Sequence, residues 1–156
     1  MATPTIVITP EELLDHWQGH RRVTRRLIEA FPEHELFNYS VGGMRTFGQL
    51  ATELLRMAMP IATGVATGTW TDRKVEPTTK AEILRLWDED TADLNRVWST
   101  IPPHRFQEVD TAFGQWKGTG IWMILYAIDN EVHHRGQGYV YLRALGAEPP
   151  AFYDRS

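Results

Sequence analysis

The sequence predicts an all-α fold, a four-helix bundle, on three observations. Helix-start signatures recur at Thr9-Pro10-Glu11-Glu12 and Thr79-Lys80-Ala81-Glu82, each a capping threonine followed three positions later by glutamate. Apolar side chains follow each start at helical spacing. An apolar run from Ile121 to Ile128 passes through a polar patch into a second, mostly apolar run from Tyr139 to Leu145. Short-to-medium links between such segments suit a bundle.

The first helix is expected over 10–31. Thr9 is its cap, Pro10 its first residue, and Leu13, Leu14, Trp17, Val23, Leu27, Ile28 and Phe31 its apolar positions. Pro32 fits a stop. Gly42-Gly43 marks a loop, and Thr46 caps a second helix carrying Phe47, Leu50, Leu54, Met57 and Ala58. That helix runs to about 65, with Pro60 expected to kink or end it early. Small and polar residues over 62–77 read as a loop folding over a pocket. The third helix follows Thr79 to about residue 100, with Ile83, Leu84, Leu86, Trp87, Leu94, Val97 and Trp98 as its apolar positions, and Pro102-Pro103 ends it. Residues 104–118 read as a short extended segment. The fourth helix is expected over 119–145, with Gly146 at its C-terminal end and Pro149-Pro150 preventing resumption.

Bulk properties narrow the function. At 156 residues the chain is expected to form a single domain, 1–156, with a real core. A net charge of -4 with no basic block argues against a nucleic-acid partner. The absence of cysteine removes disulfides, thiolate nucleophiles and cysteine zinc sites. Met1-Ala2-Thr3-Pro4 lacks the charged and apolar regions of a secretory leader. No stretch approaches the roughly 18 apolar residues of a membrane span, so no membrane partner is expected and the location is read as cytoplasmic. Six Trp, five Tyr and six Phe imply a bulky core or a pocket, to which Trp70, Trp116 and Trp122 are candidate contributors.

The polar patch within the fourth helix is the place to look for chemistry. Asp129-Asn130-Glu131-Val132-His133-His134-Arg135-Gly136-Gln137 puts two histidines, carboxylates and amides into a mostly buried helix, where such groups need partners. Residues i and i+4 share a face, so Asn130 pairs with His134, and Asp129 with His133 about 100° away. His16 and His20 have the same spacing, but polar neighbours make them a solvated face. Arg135, Gly136 and Gln137 read as structural: Arg135 pairing with carboxylates of another helix, Gly136 allowing close approach.

His133-His134-Arg135-Gly136-Gln137, with Tyr141-Leu142-Arg143, Gly146 and Pro149-Pro150, resembles the C-terminal signature of the DinB-like, or YfiT-like, metalloenzyme family of damage-inducible bacterial proteins. Gly43-Met44-Arg45-Thr46-Phe47-Gly48-Gln49-Leu50 resembles the start of that family's second helix. The resemblance implies a four-helix bundle with a long link between helices two and three, often a homodimer, and a divalent metal held by three histidines. Carried onto this chain, those positions are Glu53, Asn130 and His134, so one histidine of three is retained. Asp129, His133 and Gln137 stand beside them as alternative or supporting ligands. This harder donor set favours manganese, magnesium or iron relative to zinc, with nickel and zinc still competing. The resemblance thus implies a metal-dependent hydrolase or thiol transferase. The alternative is a stress-associated, non-catalytic protein that binds a small molecule or acts as an interaction module. In it the metal is lost and Glu53 bonds Asn130 and His134 in a polar network.

Overall fold

The computed structural model describes residues 5–156; the leader reading falls on Met1–Pro4, which lie outside the described residues. Four helices dominate: α1 (Pro10–Ala30), α2 (Phe47–Thr67), α3 (Lys80–Trp98) and α4 (Gly120–Ala144). A 3-10 turn, Pro103–Phe106, precedes two short strands, β1 (Val109–Ala112) and β2 (Trp116–Thr119). The strands pair antiparallel, with Val109 opposite Thr119 and Ala112 opposite Trp116. The fold is therefore mostly helical, not all-α: the segment expected to be extended folds back on itself as a hairpin.

The helix starts are fixed locally. Thr9, Thr46 and Thr79 each accept a hydrogen bond from the backbone three residues on, and the side chains of Glu12, Gln49 and Glu82 accept one from the backbone N–H of the cap. Thr119 caps α4. Pro60 lies inside α2 without ending it. Losing one helical bond there costs about 3 kcal/mol, but Ala58, Ile61, Ala62 and Val65 around it are all buried, and that packing carries the helix through. Residues 62–67, read as loop, thus complete α2, and the link to α3 spans 68–79. It is pinned from within: Arg73 donates to both oxygens of Asp90 and to the Leu55 carbonyl, and Val75 accepts from Arg56.

α1 and α2 each pack against both α3 and α4. The interior has two apolar halves. One gathers Trp17, Ile61, Leu94, Ile124 and Ile128; the other Leu27, Phe31, Phe47, Leu55, Trp87 and Tyr141. Polar side chains lie between these halves: Gln18, His20, Arg21 and Thr24 on α1, Asp90 on α3, and Glu131, His134 and Arg135 on α4, with Glu53 of α2 joined to them through His134. A polar layer thus crosses the bundle at mid-height. Among the described residues no helix is long and apolar enough to cross a membrane.

Candidate functional site

An α-helix turns about 100° per residue, so the nine residues from Asp129 to Gln137 fan out over three faces of α4. Asn130 and His134 meet α2, Glu131 and Arg135 meet α1, and Asp129, Val132 and His133 are exposed. The structure brings together Glu53, Asn130, His134 and Gln137, and leaves Asp129 and His133 outside that group.

On the α2 side, Glu53 is the hub. Its Oε1 lies 3.0 Å from His134 Nε2 and accepts from Asn130 Nδ2 at 3.5 Å. Its Oε2 is ion-paired with Arg45, a partner sequence reasoning missed. Tyr141 donates its hydroxyl to the Arg45 carbonyl at 2.9 Å, fixing the backbone from which that guanidinium reaches. Gln137 Oε1 stands 3.2 Å from His134 Nδ1. Burial pushes the Glu53 carboxyl up, but the hydrogen bonds and charges of Arg45 and His134 together outweigh it and hold it below its ordinary value.

Among the described residues no three His, Asp or Glu side chains are grouped to hold a metal ion. Glu53 and His134 are the two strong donors, and Asn130 adds a weak amide. The single carboxylate charge is already matched by Arg45, whose guanidinium would repel a cation beside it. This donor set does not fit a tightly held divalent metal.

On the α1 side the groups are closed in. Glu131 Oε1 accepts from Thr24 at 2.6 Å, and Arg135 donates to the His20 carbonyl at 3.0 Å and to His20 Nδ1 at 2.9 Å. Arg21 lies 4.2 Å from the Trp87 ring and donates to the Trp87 carbonyl. Burial raises the Glu131 carboxyl, against the pull of Arg21, Thr24 and Arg135. Burial, then the charge of Arg135, lowers His20 to about 4. Three expectations are corrected here. His20 is only 5% exposed, not on a solvated face, because Arg135 and the returning segment at Arg155 cover it. Arg135 bonds His20, not carboxylates of another helix. Gly136 faces open space; the close approach belongs to Gly138, where a Cβ would stand 2.5 Å from Phe47.

Next to the α2 cluster lies a cavity of about 440 Å³. Met57 joins the two, since it lines the cavity while its Sδ accepts from Asn130 at 3.1 Å. Ile61 and Met123 supply further apolar wall, and Arg56, Asp72 and Arg73 the charged part of the lining. Phe113 and Trp116 enter from the hairpin, Trp122 and Tyr126 from α4. The rings of Trp122 and Tyr126 stack at 6.0 Å, an i,i+4 pair whose spacing was a readable signal for Tyr126. Of the three tryptophans that were candidate contributors to a pocket, Trp116 and Trp122 line it. Trp70 packs instead on Gly64 and donates to Asp110.

A model of the DinB family matches residues 1–156. The uncharacterized protein YjoA of Bacillus subtilis (strain 168) is 25% identical over 150 residues, 92% of this chain and 96% of that protein. The crystal structure of that DinB-like protein matches with a TM-score of 0.76 at 22% identity, covering 92% of this chain and 99% of that one. A DinB-like protein from Bacillus cereus ATCC 10987 matches with a TM-score of 0.73, also at 22% identity, over 92% and 97% of the two chains. A mutant of a mycothiol-dependent maleylpyruvate isomerase matches with a TM-score of 0.66 at 14% identity, over 84% of this chain and 61% of that one. These three structural likenesses show a shared fold alone.

Proposed function

The chain belongs to the DinB family, and we propose that it uses that fold to bind a small, largely apolar molecule in the aromatic cavity beside Glu53, Asn130 and His134. The observation that carries this reading is the cavity itself. Its volume, about 440 Å³, falls in the range of small-molecule sites, roughly 300–1,000 Å³. Its walls are mostly thioether, aliphatic and aromatic, with Arg56, Asp72 and Arg73 as the charged members of the lining. Trp116, Trp122 and Tyr126 remain about half exposed, at 53%, 46% and 52%, so ligand burial has apolar surface left to gain.

In this reading Glu53, Asn130 and His134 are a hydrogen-bonded network that ties α2 to α4 beside the cavity, joined to it through Met57, with Arg45 supplying the positive charge. The hydrolase or thiol-transferase chemistry that the family resemblance implies needs a metal the donor set does not suit, so no catalytic step is assigned.

The test uses the full chain without a polyhistidine tag. 1-Naphthol, followed by tryptophan fluorescence, is expected to bind saturably, and Trp122→Ala to weaken it by about ten-fold, the equivalent of ~1.4 kcal/mol. In parallel, manganese, nickel and zinc are titrated by calorimetry, with no binding tighter than about millimolar expected, that is, under ~4 kcal/mol. Absence of naphthol binding defeats the proposal. Tight metal binding lost in both Glu53→Ala and His134→Ala reinstates the metal site in its place.

A further inference from the structure

The hairpin that walls the cavity turns at Phe113-Gly114, with the Gln115 amide donating to the Ala112 carbonyl at 3.0 Å. Both central residues have positive φ, 52° at Phe113 and 68° at Gly114. Three residues, Phe113 to Gln115, separate the paired Ala112 and Trp116, and a left-handed position in so short a loop is ordinarily taken by glycine, asparagine or aspartate. Gly114 suits it; Phe113 does not, because a bulky side chain in the left-handed region crowds its own backbone. Phe113 is the only non-glycine residue with positive φ among the described residues. It is also the turn residue whose ring lines the cavity.

Phe113 does more than fill space. Its ring makes edge contacts with Trp70 at 5.6 Å and Trp116 at 6.1 Å, which fix its orientation. Asparagine would relax the backbone but remove this ring, leaving Trp116 as the hairpin's one aromatic side chain at the cavity. An unfavourable residue held in place by its surroundings at a cavity wall is the pattern expected where local strain serves binding.

We propose that Phe113 is the residue that selects flat, conjugated ring ligands, and that the hairpin tolerates a left-handed backbone there to hold this ring against the cavity. The inference rests on the small-molecule reading of the cavity and names the class of molecule it takes. Offset and edge-to-face contacts with aromatic rings reward a planar π-system; a saturated ring of similar size gains only burial.

The experiment compares 1-naphthol with its saturated counterpart, decahydro-1-naphthol, on the wild-type protein and on Phe113→Asn, Phe113→Ala and Trp122→Ala. The wild type is expected to prefer the aromatic compound by about ten-fold. Both Phe113 variants are expected to lose most of that preference. Asparagine accepts the left-handed conformation and alanine does not, so Phe113→Asn is expected to melt about 2 °C above Phe113→Ala. A preference that survives in both variants overturns the inference, as does equal melting of the two. If the wild type binds naphthol and Trp122→Ala weakens it while the Phe113 variants keep the preference, the cavity reading stands and this inference falls. If the wild type binds neither compound, both fall.

Discussion

The two polar seams of α4 are built from the same stretch of chain, yet they end in opposite states. Toward α1, Glu131 and Arg135 are 2% and 5% exposed, and their partners are equally enclosed. Toward α2, the Glu53 side chain is 31% exposed, its partner Arg45 is 51% exposed, and Met57 leads from the cluster into the cavity. One seam is sealed by the bundle and the other opens to a space a ligand can occupy. The difference teaches where energy and function separate. Buried charges that lose a partner are severely destabilising, so the sealed seam is committed to the fold. The open seam has water as an alternative partner and is free to serve binding.

Mutations break or sharpen this contrast. Glu131→Leu leaves Arg135 without its carboxylate and Arg21 with the charges of Asp90 and Asp88 alone, and is expected to destabilise by about 3–5 kcal/mol, read as a fall in melting temperature of about 10 °C or more. The second effect is on pH. His20 accepts from Arg135 in its neutral form, and its pKa falls from 6.5 to about 4. The folded state thus binds a proton less readily than the unfolded one. The stability this contributes is full above pH 6.5 and is lost as pH falls toward 4. Glu131, with its raised carboxyl, runs the other way, so the His20 share is isolated by comparing the wild type with His20→Asn at pH 7 and pH 5. The wild type is expected to lose a few degrees more than the variant. An equal loss would place His20 outside the sealed seam. Glu53→Leu, at the open seam, is expected to cost about 1 kcal/mol, as for a half-exposed hydrogen-bonded pair. A loss matching that of Glu131→Leu in chemical denaturation would erase the contrast. Gly136→Ala, on the outer face, meets nothing within 4 Å and is expected to stabilise by about 0.5–1 kcal/mol.

The fold was legible because its signals are local. Capping threonines with their glutamates sit within one turn of each other, and apolar spacing needs only one helix. Where the reading missed, the deciding contact lay far along the chain. Pro60 was expected to kink α2 or end it early, but core packing holds the helix through it to Thr67. His16 and His20 looked solvated because their neighbours in sequence are polar; what covers His20 comes from Arg135 and from the chain's return at Arg155. Glu131 was passed over for the histidines beside it, since nothing local says which face of α4 meets α1. At the candidate site, Glu53, Asn130 and His134 converge, while Arg45, which decides their chemistry, is identifiable only in three dimensions. Phe113 left no helical or motif signal, because its role depends on a backbone angle.

The hairpin also bears on how the cavity fills. Its strands are four residues each and its pairing spans few residues, whereas the walls from α2 and α4 belong to helices anchored along their length in the bundle. Elements with few buried contacts open in small, sub-global fluctuations well below the cost of unfolding the whole. The cavity therefore has one wall able to fray while its two helical walls stay folded. Entry and escape of a ligand become a question of how often that wall opens. Amide hydrogens across 109–119 are expected to exchange with solvent far faster than those of α2 and α4, and to slow when the cavity is filled.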